Sequence, residues 1–184
     1  MKNPFFFGYG SLVNQSTHTY TNAHRAHVTG WRRTWRFTPH HPVSLLTAIR
    51  CDESSIDGLI AEVPGADWAA LDERESGYNR HVTDAVRHPL EFKPEIAIYA
   101  VPEQEPFDAD EGPGILLSYL DVVVQGYLRE FGEEGVADFF ATTDGWDIPI
   151  LNDRLAPKYP RAQELSPSET ALVDAYVAKV NAEN

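Results

Sequence analysis

The first candidate for chemistry is the turn Gly8-Tyr9-Gly10-Ser11-Leu12, which follows three phenylalanines near the start of the chain. Two glycines two residues apart let the main chain approach another group closely, because neither carries a side chain. The N–H groups of Gly10, Ser11 and Leu12 would then be available to an anion or to a polarised carbonyl. A plain tight turn accounts for the same spacing, so the pattern leaves both interpretations open.

Three known glycine motifs do not match this turn. The dinucleotide fingerprint G-x-G-x-x-G needs a third glycine where Val13 stands, and the Gly-Lys-Ser/Thr of a phosphate-binding loop is absent. The G-x-S-x-G elbow of serine hydrolases is also absent, because Leu12 and Val13 follow Ser11. The turn is therefore either a backbone site for an anion or a polarised carbonyl, or a plain tight turn.

The second candidate is a carboxylate in the run Leu71-Asp72-Glu73-Arg74-Glu75. Such an acidic run is typical of a solvated helix face. Glu75 differs from its neighbours because it ends the predicted helix four residues after Leu71, and therefore shares a face with an apolar side chain. Burial raises the pKa of a carboxyl group toward the range that suits proton transfer. Glu75 is therefore a candidate acid–base group.

A third candidate is Tyr119, which lies within a strongly apolar stretch that predicts a buried helix over 114–131. A buried tyrosine needs a hydrogen-bond partner. Tyr119 is therefore either a satisfied core residue or a hydroxyl that lines a cavity.

Two further patterns point weakly to metal or nucleic acid. Five histidines (His18, His24, His27, His40 and His41) come without a regular ligand motif or a second cysteine, so we expect no metal and no cofactor. The segment GWRRTWRF at 30–37 interleaves arginine with tryptophan, which is also found where proteins stack on nucleic acid. A net charge of −13 disfavours nucleic acid, and a strand with a basic face explains the segment equally well.

Composition limits the class of protein. The 184 residues suit a single domain, 1–184, in which 143–184 is a C-terminal extension that ends in a helix. The single cysteine favours a reducing compartment, and neither a secretory signal nor an apolar run of about 20 residues is present. We therefore expect a cytoplasmic protein that binds neither membrane nor nucleic acid. The oligomeric state is left open.

The elements that must position these residues come in the order strands first, helices later. Asp67 is placed to cap a helix over 67–75, and Ser166-Pro167-Ser168-Glu169 is a capping box that starts the last helix. This order predicts an α+β fold with a closed or strongly curved sheet and helices packed against it. The predicted strands are 4–9, 30–37, 43–50, 56–63, 80–88 and 94–101, and turn residues such as Asp57-Gly58 and Pro64-Gly65 separate them. A loop rich in proline, glycine and acidic residues is predicted over 102–114, and the other predicted helices are 114–131 and 133–142.

The same residues resemble a known family. The stretches Phe7-Gly8-Tyr9-Gly10-Ser11-Leu12, Leu71-Asp72-Glu73-Arg74-Glu75, Gly77-Tyr78 and Ser118-Tyr119-Leu120 are similar to motifs of the γ-glutamylcyclotransferase superfamily, which includes ChaC-type and AIG2-like proteins. The resemblance covers about residues 5–130. It implies a small mixed β-barrel with flanking helices, which agrees with the order of elements.

The resemblance also implies a reaction and a site. The enzyme would cyclise a γ-glutamyl group to 5-oxoproline and release an amine or amino acid, as a lyase or acyltransferase of glutathione metabolism without a cofactor. Glu75 would be the catalytic acid–base. The substrate-binding residues implied are Tyr9, Gly10, Ser11 and Leu12 from the turn, with Tyr119 lining the cavity.

The leaving group stays open at this stage. Ser76 stands between the glutamate and the glycine, and Leu117 stands where ChaC-type proteins have a proline before the helix serine. The alternatives are glutathione, a γ-glutamyl amino acid, a γ-glutamylamine or another γ-glutamyl compound. A non-catalytic domain of the same fold that binds a small molecule is the remaining alternative.

Overall fold

The computed structural model describes residues 2–38, 41–102 and 113–183, which form an α+β fold. The described strands are β1 (Phe5–Gly8), β2 (His24–Arg36), β3 (Leu45–Glu62), β4 (Asn79–Val82), β5 (Val86–Arg87), β6 (Ile96–Ala100), β7 (Ile115–Leu116), β8 (Thr143–Asp144) and β9 (Ile150–Leu151). The described helices are α1 (Ala69–Arg74), α2 (Leu117–Ala141) and α3 (Pro167–Glu183).

Seven of these strands form one mixed sheet. The strand order is β4-β6-β1-β3-β2-β5, and β8 pairs in parallel with β2. The central strand β1 runs antiparallel to β3 and parallel to β6. The sheet curls into a half-barrel, so the predicted α+β class with a mixed, strongly curved sheet is confirmed. The closed barrel that we also considered is wrong for the part of the chain that the structure describes.

The strand β3 is longer than the sequence predicts. We expected a turn at Asp57-Gly58 between two strands, but β3 runs unbroken through both residues for 18 residues. The long strand β2 pairs with β3 on both sides of a register shift. The pairing therefore continues along β3 without a turn. A Cβ atom on Gly58 would lie only 2.7 Å from Cζ of Phe7. The glycine therefore marks a close packing contact within a strand.

Two hydrophobic clusters lie on opposite faces of the sheet. The side chains of Phe5 and Phe7 join the larger cluster, which the sheet forms with α2 and α3. Phe6 points to the other face and joins a smaller cluster that includes Leu71 of α1. Successive side chains of a strand point to opposite faces, so three consecutive phenylalanines anchor the strand between two layers. Residues 8–12 leave this fixed strand directly.

Helix α2 is interrupted where the sequence predicts a boundary. Gly132 adopts φ 72° and ψ −169°, which divides the helix between the predicted segments 114–131 and 133–142. The first residues of the predicted segment are not helical, because Ile115 and Leu116 pair with β9 instead. Helix α2 therefore consists of two helical segments that meet at Gly132, and Tyr119 lies in the first of them.

The last helix begins with the predicted capping box. The Ser166 N–H donates to Oε2 of Glu169 at 2.7 Å, and the Glu169 N–H donates to Oγ of Ser166 at 3.2 Å. Val173 and Val180 of α3 are buried against the main cluster. Across the three described ranges, every helix is too short or too polar to cross a lipid bilayer.

Candidate functional site

The glycine turn follows β1 and is tight. The Val13 N–H donates to the carbonyl of Gly10 at 3.0 Å, which closes a short 3₁₀ turn over Ser11–Val13. A Cβ atom on Gly10 would lie 2.7 Å from Oη of Tyr119. Glycine is therefore needed at position 10, because a larger residue would displace the Tyr119 hydroxyl.

The amides of this turn are available to a ligand. Within the described residues, the N–H groups of Gly10 and Leu12 donate no hydrogen bond. The Ser11 N–H faces the Tyr119 hydroxyl. Unpaired backbone donors beside a cavity are uncommon, because a buried N–H group without an acceptor is unfavourable. Within the described residues, the N–H groups of Gly10 and Leu12 are therefore free to bind a ligand.

Side chains from distant parts of the chain fix the loop that follows the turn. The Thr17 hydroxyl donates to the Ser11 carbonyl at 3.0 Å, and the side chain of Asn14 donates to the Val122 carbonyl of α2 at 2.9 Å. Arg74 of α1 donates to the Thr17 carbonyl at 2.8 Å. The loop is therefore held by both neighbouring helices, so its amides are pre-positioned.

A buried tyrosine, itself bound by a buried arginine, also holds the backbone of the turn. Oη of Tyr127 lies 2.9 Å from the Tyr9 carbonyl and accepts a hydrogen bond from Arg33 at 2.6 Å. Arg33 is 1% exposed, and its guanidinium also stacks on the rings of Tyr127 and Phe139. The sequence analysis did not identify Arg33 or Tyr127.

Glu75 lies at the C-terminal end of α1 and points into the molecule. Its N–H donates to the Leu71 carbonyl at 2.9 Å, so the helix backbone fixes its position. Its side chain is only 17% exposed. Burial raises the pKa of the Glu75 carboxyl above its ordinary value, and the nearby Arg74 and Arg161 guanidinium groups oppose that shift.

Arg74 lies close to Glu75, but its terminal nitrogens donate hydrogen bonds to the glycine turn and to the loop that follows it. Its Nε lies 3.2 Å from Oε1 of Glu75, yet the N–H is not directed at that oxygen. Its terminal nitrogens donate to Oγ1 and the carbonyl of Thr17 and to Oγ of Ser11. Arg74 therefore provides charge beside the carboxylate without saturating it with hydrogen bonds, which leaves Glu75 able to exchange a proton.

Glu75 and the turn open into the same cavity. The cavity has a volume of about 210 Å³ and is lined by Ser11 from the turn, Leu46 from β3, Glu75, Tyr119 and the segment 159–161. A smaller recess of about 30 Å³ adjoins it and is lined by residues 7–12 of the turn. Glu75 and Tyr119 border both spaces. All the predicted site residues thus meet here, with Tyr9, Gly10 and Leu12 at the recess.

Three tyrosine side chains surround this space. Burial raises the pKa of Tyr9, Tyr78 and Tyr119, so all three stay protonated at neutral pH and serve as donors. Tyr9 donates to the Tyr99 carbonyl at 2.6 Å, and Tyr78 donates to the Leu46 carbonyl at 2.9 Å. Tyr119 is therefore the one whose hydroxyl is directed at the glycine turn.

Several cavity residues were missed by sequence reasoning. Ser44 and Leu46 are ordinary strand residues, and Tyr159 and Arg161 stand in a polar segment with no recognisable motif. The Tyr119 ring packs edge-on against the Tyr159 ring with centroids 4.9 Å apart, a contact that only the folded chain creates. The predicted loop 102–114 and His40 lie largely or wholly outside the described residues.

Two patterns that the sequence analysis considered for metal and for nucleic acid are the histidines and the segment GWRRTWRF. Across the described ranges, no group of three or more His, Cys, Asp or Glu side chains is arranged to hold a metal ion. Trp31 and Trp35 are 2% and 1% exposed, so both rings lie in the core. Arg33 is buried beneath the sheet as well, while Arg32 forms an ion pair with Asp144 on the other face. The alternation of GWRRTWRF is therefore that of a strand with one buried face.

Comparisons with known proteins identify the family of this chain and agree with its fold. Residues 5–112 match the family model described as ChaC-like protein, which is more than half of the chain. The chain therefore belongs to the ChaC-like protein family, within the γ-glutamylcyclotransferase superfamily. No curated protein matches the sequence.

Solved structures share the fold at low sequence identity. The uncharacterized human protein loc79017 has a TM-score of 0.59 at 15% identity, covering 95% of this chain and 99% of its own. YkqA from Bacillus subtilis has a TM-score of 0.58 at 17% identity, covering 78% of this chain and 56% of its own. A protein named gamma-glutamyl cyclotransferase has a TM-score of 0.55 at 13% identity, covering 95% and 99%. At these identities the likeness concerns the fold.

Proposed function

We propose that this protein is an enzyme that cyclises the γ-glutamyl group of a small molecule to 5-oxoproline and releases an amine. The observation that supports the proposal most strongly is geometric. A buried carboxylate, Glu75, borders both the cavity of about 210 Å³ and the adjoining recess of about 30 Å³, which is lined by Gly10 and Leu12 of the glycine turn, whose N–H groups are unpaired within the described residues. The membership of the chain in the ChaC-like family and the fold it shares with a protein named gamma-glutamyl cyclotransferase support the same function.

The reaction needs no nucleophile from the protein. The α-amine of the substrate attacks its own γ-carbonyl carbon, which forms the C–N bond of a five-membered lactam. The tetrahedral intermediate then collapses, and the original C–N bond to the leaving amine breaks. Holding the flexible substrate in a folded conformation contributes most, because oriented intramolecular reactions reach effective molarities of about 10⁵–10⁸ M.

The glycine turn would stabilise the charge that develops on oxygen. In the tetrahedral intermediate the γ-carbonyl oxygen becomes an oxyanion, and the N–H groups of Gly10, Ser11 and Leu12 are the donors nearest to the recess. The Tyr119 hydroxyl lies against the same turn and stays protonated, so it is a further donor. One donor of this kind typically contributes about 2.7–4 kcal/mol to transition-state stabilisation.

Glu75 would move the proton. Its carboxylate accepts a proton from the attacking amine and returns it to the departing nitrogen, so the group is regenerated in each cycle. Burial raises the pKa of Glu75 toward neutrality, which makes both transfers easier than for a solvated carboxylate. A single acid–base group of this kind contributes about 10²–10⁴-fold to the rate.

We also propose a cytoplasmic location, because the single cysteine suits a reducing compartment. The direct test is release of 5-oxoproline from glutathione, γ-glutamyl amino acids and γ-glutamylamines, with free 5-oxoproline measured by mass spectrometry. Release from at least one of these compounds is the expected result. Binding of γ-glutamyl compounds with no release from any of them would instead identify a non-catalytic binding domain.

A further inference from the structure

The cavity contains two arginines in very different surroundings. The Arg74 side chain is 7% exposed, and its terminal nitrogens donate to Thr17 and Ser11. Arg161 is half-buried at the cavity wall. Within the described residues, its guanidinium donates no hydrogen bond and lies within ion-pair distance of no carboxylate. A partly buried cation without a partner is unfavourable unless a ligand completes its surroundings.

The segment that carries Arg161 is anchored in place. Asp153 accepts hydrogen bonds from Ser118 Oγ at 2.6 Å and from the Lys158 N–H at 2.9 Å, which ties residues 153–158 to the start of α2. The Ala162 N–H donates to the Tyr159 carbonyl at 3.1 Å and closes a turn around Arg161. The backbone at Arg161 is therefore held in place beside the cavity.

The position of Arg161 relative to the reacting groups indicates what it binds. Arg161 lines the wide cavity but not the recess at the glycine turn, whereas Glu75 lines both. Its charge reaches Glu75, because it lowers the pKa of that carboxyl, yet the two groups form no ion pair. With the γ-carbonyl bound at the turn and Glu75 moving the proton, the leaving amine would lie in the wider cavity, which Arg161 lines.

We propose that Arg161 binds a carboxylate on the leaving group, so that the substrates are γ-glutamyl amino acids or γ-glutamyl peptides rather than neutral γ-glutamylamines. This inference rests on the proposed cyclotransferase function. A guanidinium group pairs with a carboxylate through two parallel N–H···O bonds, which gives both affinity and orientation. A neutral leaving group leaves Arg161 unpaired, and sites with an unpaired polar group discriminate strongly against such substrates.

The test uses two substrates that differ by one carboxylate: γ-glutamyl-alanine and γ-glutamyl-ethylamine. The value of kcat/KM for each is measured with the wild-type protein, with Arg161→Gln and with Lys158→Gln. Lys158 is an exposed cation in the same segment, so its variant controls for net charge. Arg161→Gln also alters the charge near Glu75, which affects both substrates equally. The ratio of the two kcat/KM values is therefore the readout.

We expect the wild-type protein to prefer γ-glutamyl-alanine by about tenfold to a hundredfold, the range for a hydrogen bond between charged groups. Arg161→Gln should abolish most of that preference, Arg161→Lys should restore part of it, and Lys158→Gln should preserve it. Equal losses for both substrates, or no preference in the wild-type protein, would overturn the role of Arg161 and leave the cyclotransferase function standing. Failure of the wild-type protein to cyclise either substrate, or any compound of the wider panel, would overturn both.

Discussion

Glu75 is a residue on which two opposing electrostatic effects act. Burial disfavours its charged form, while Arg74 and Arg161 favour it. The first effect is the larger, so the pKa of the carboxyl lies above its ordinary value. A carboxyl group tuned in this way is unfavourable for stability at neutral pH, because the folded state holds the proton more tightly than the unfolded state. Such a cost is common where a residue serves function rather than folding.

The pH dependence of the reaction should report this balance. Glu75 accepts a proton only as a carboxylate, so kcat/KM should fall as pH decreases through a pKa above that of a solvated glutamate. Arg161→Gln removes a cation that lowers this pKa, and the acidic limb should therefore move to higher pH. The measurement is the pH profile of kcat/KM for γ-glutamyl-ethylamine, whose own amine titrates identically with both proteins. An acidic limb that moves to lower pH would contradict the account, and Lys158→Gln should leave the limb unmoved.

The sequence identified the residues that have a local signature. Glu75 became a candidate through its spacing to Leu71, the turn residues through their glycines and Tyr119 through its place in an apolar helix, and the resemblance to a family then implied their roles. Arg161 and Tyr159 reach the cavity only because Asp153 anchors their segment to α2. That contact joins residues 35 positions apart, and nothing in the local pattern indicates it. The roles of all these residues remain predictions until variants are measured.

The glycine turn is the element on which substrate binding depends. The loop that follows it is held by hydrogen bonds of Thr17, Asn14 and Arg74, and the Tyr9 carbonyl is held by Tyr127. A loop fixed by both helices loses little conformational entropy when a ligand binds. The turn is thus a rigid donor set rather than a flexible lid.

Two substitutions of Ser11 distinguish the role of its backbone amide from that of its hydroxyl. Ser11→Pro deletes the N–H donor, whereas Ser11→Ala deletes only the hydroxyl that accepts from Arg74. We expect Ser11→Pro to weaken binding of a γ-glutamyl ligand and to lower kcat/KM by about 10²–10³-fold. Ser11→Ala should lower kcat/KM much less. Steady-state kinetics and calorimetric binding measure both effects. Near-equal kinetics for the two variants would show that the Ser11 amide does not take part.

Elements that depend on a few neighbouring residues were predicted from the sequence, whereas an element that depends on long-range strand pairing was not. The capping box at Ser166 and the break at Gly132 were predicted because each depends on a few neighbouring residues. The turn predicted at Asp57-Gly58 was wrong, because pairing with β2 keeps β3 extended and Phe7 packs against Gly58. A turn-forming dipeptide predicts a turn only where tertiary pairing does not require a strand.

The whole molecule encloses its cavity with parts that are distant in sequence. The family match ends at residue 112, but Tyr119, Tyr159 and Arg161 line the cavity beyond it. The C-terminal extension also contributes to the main core, because α3 packs against α2 and Val173 is fully buried. The sequence predicted the helix of this extension, while its place at the cavity follows only from the folded chain.

We predict that residues 1–184 unfold as one unit, with 143–184 an integral part of it. Val173→Ala removes two buried methyl groups and should lower the free energy of unfolding of the whole chain by about 1–3 kcal/mol. Val82→Ala is the control, because Val82 is 62% exposed and should cost less. Urea unfolding followed by tryptophan fluorescence and by circular dichroism should give a single coincident transition. A separate early transition, the only one shifted by Val173→Ala, would show that the extension folds independently.

The proposed proton transfer is tested most directly by Glu75→Gln, with Glu73→Gln as the control, because Glu73 is an exposed carboxylate on the same helix. The amide has nearly the same shape, so Glu75→Gln should unfold at no lower denaturant concentration than the wild-type protein and should still bind a γ-glutamyl ligand. Its release of 5-oxoproline should fall by at least about a hundredfold, while Glu73→Gln stays near wild type. A folded Glu75→Gln protein that releases 5-oxoproline at the wild-type rate would contradict the account.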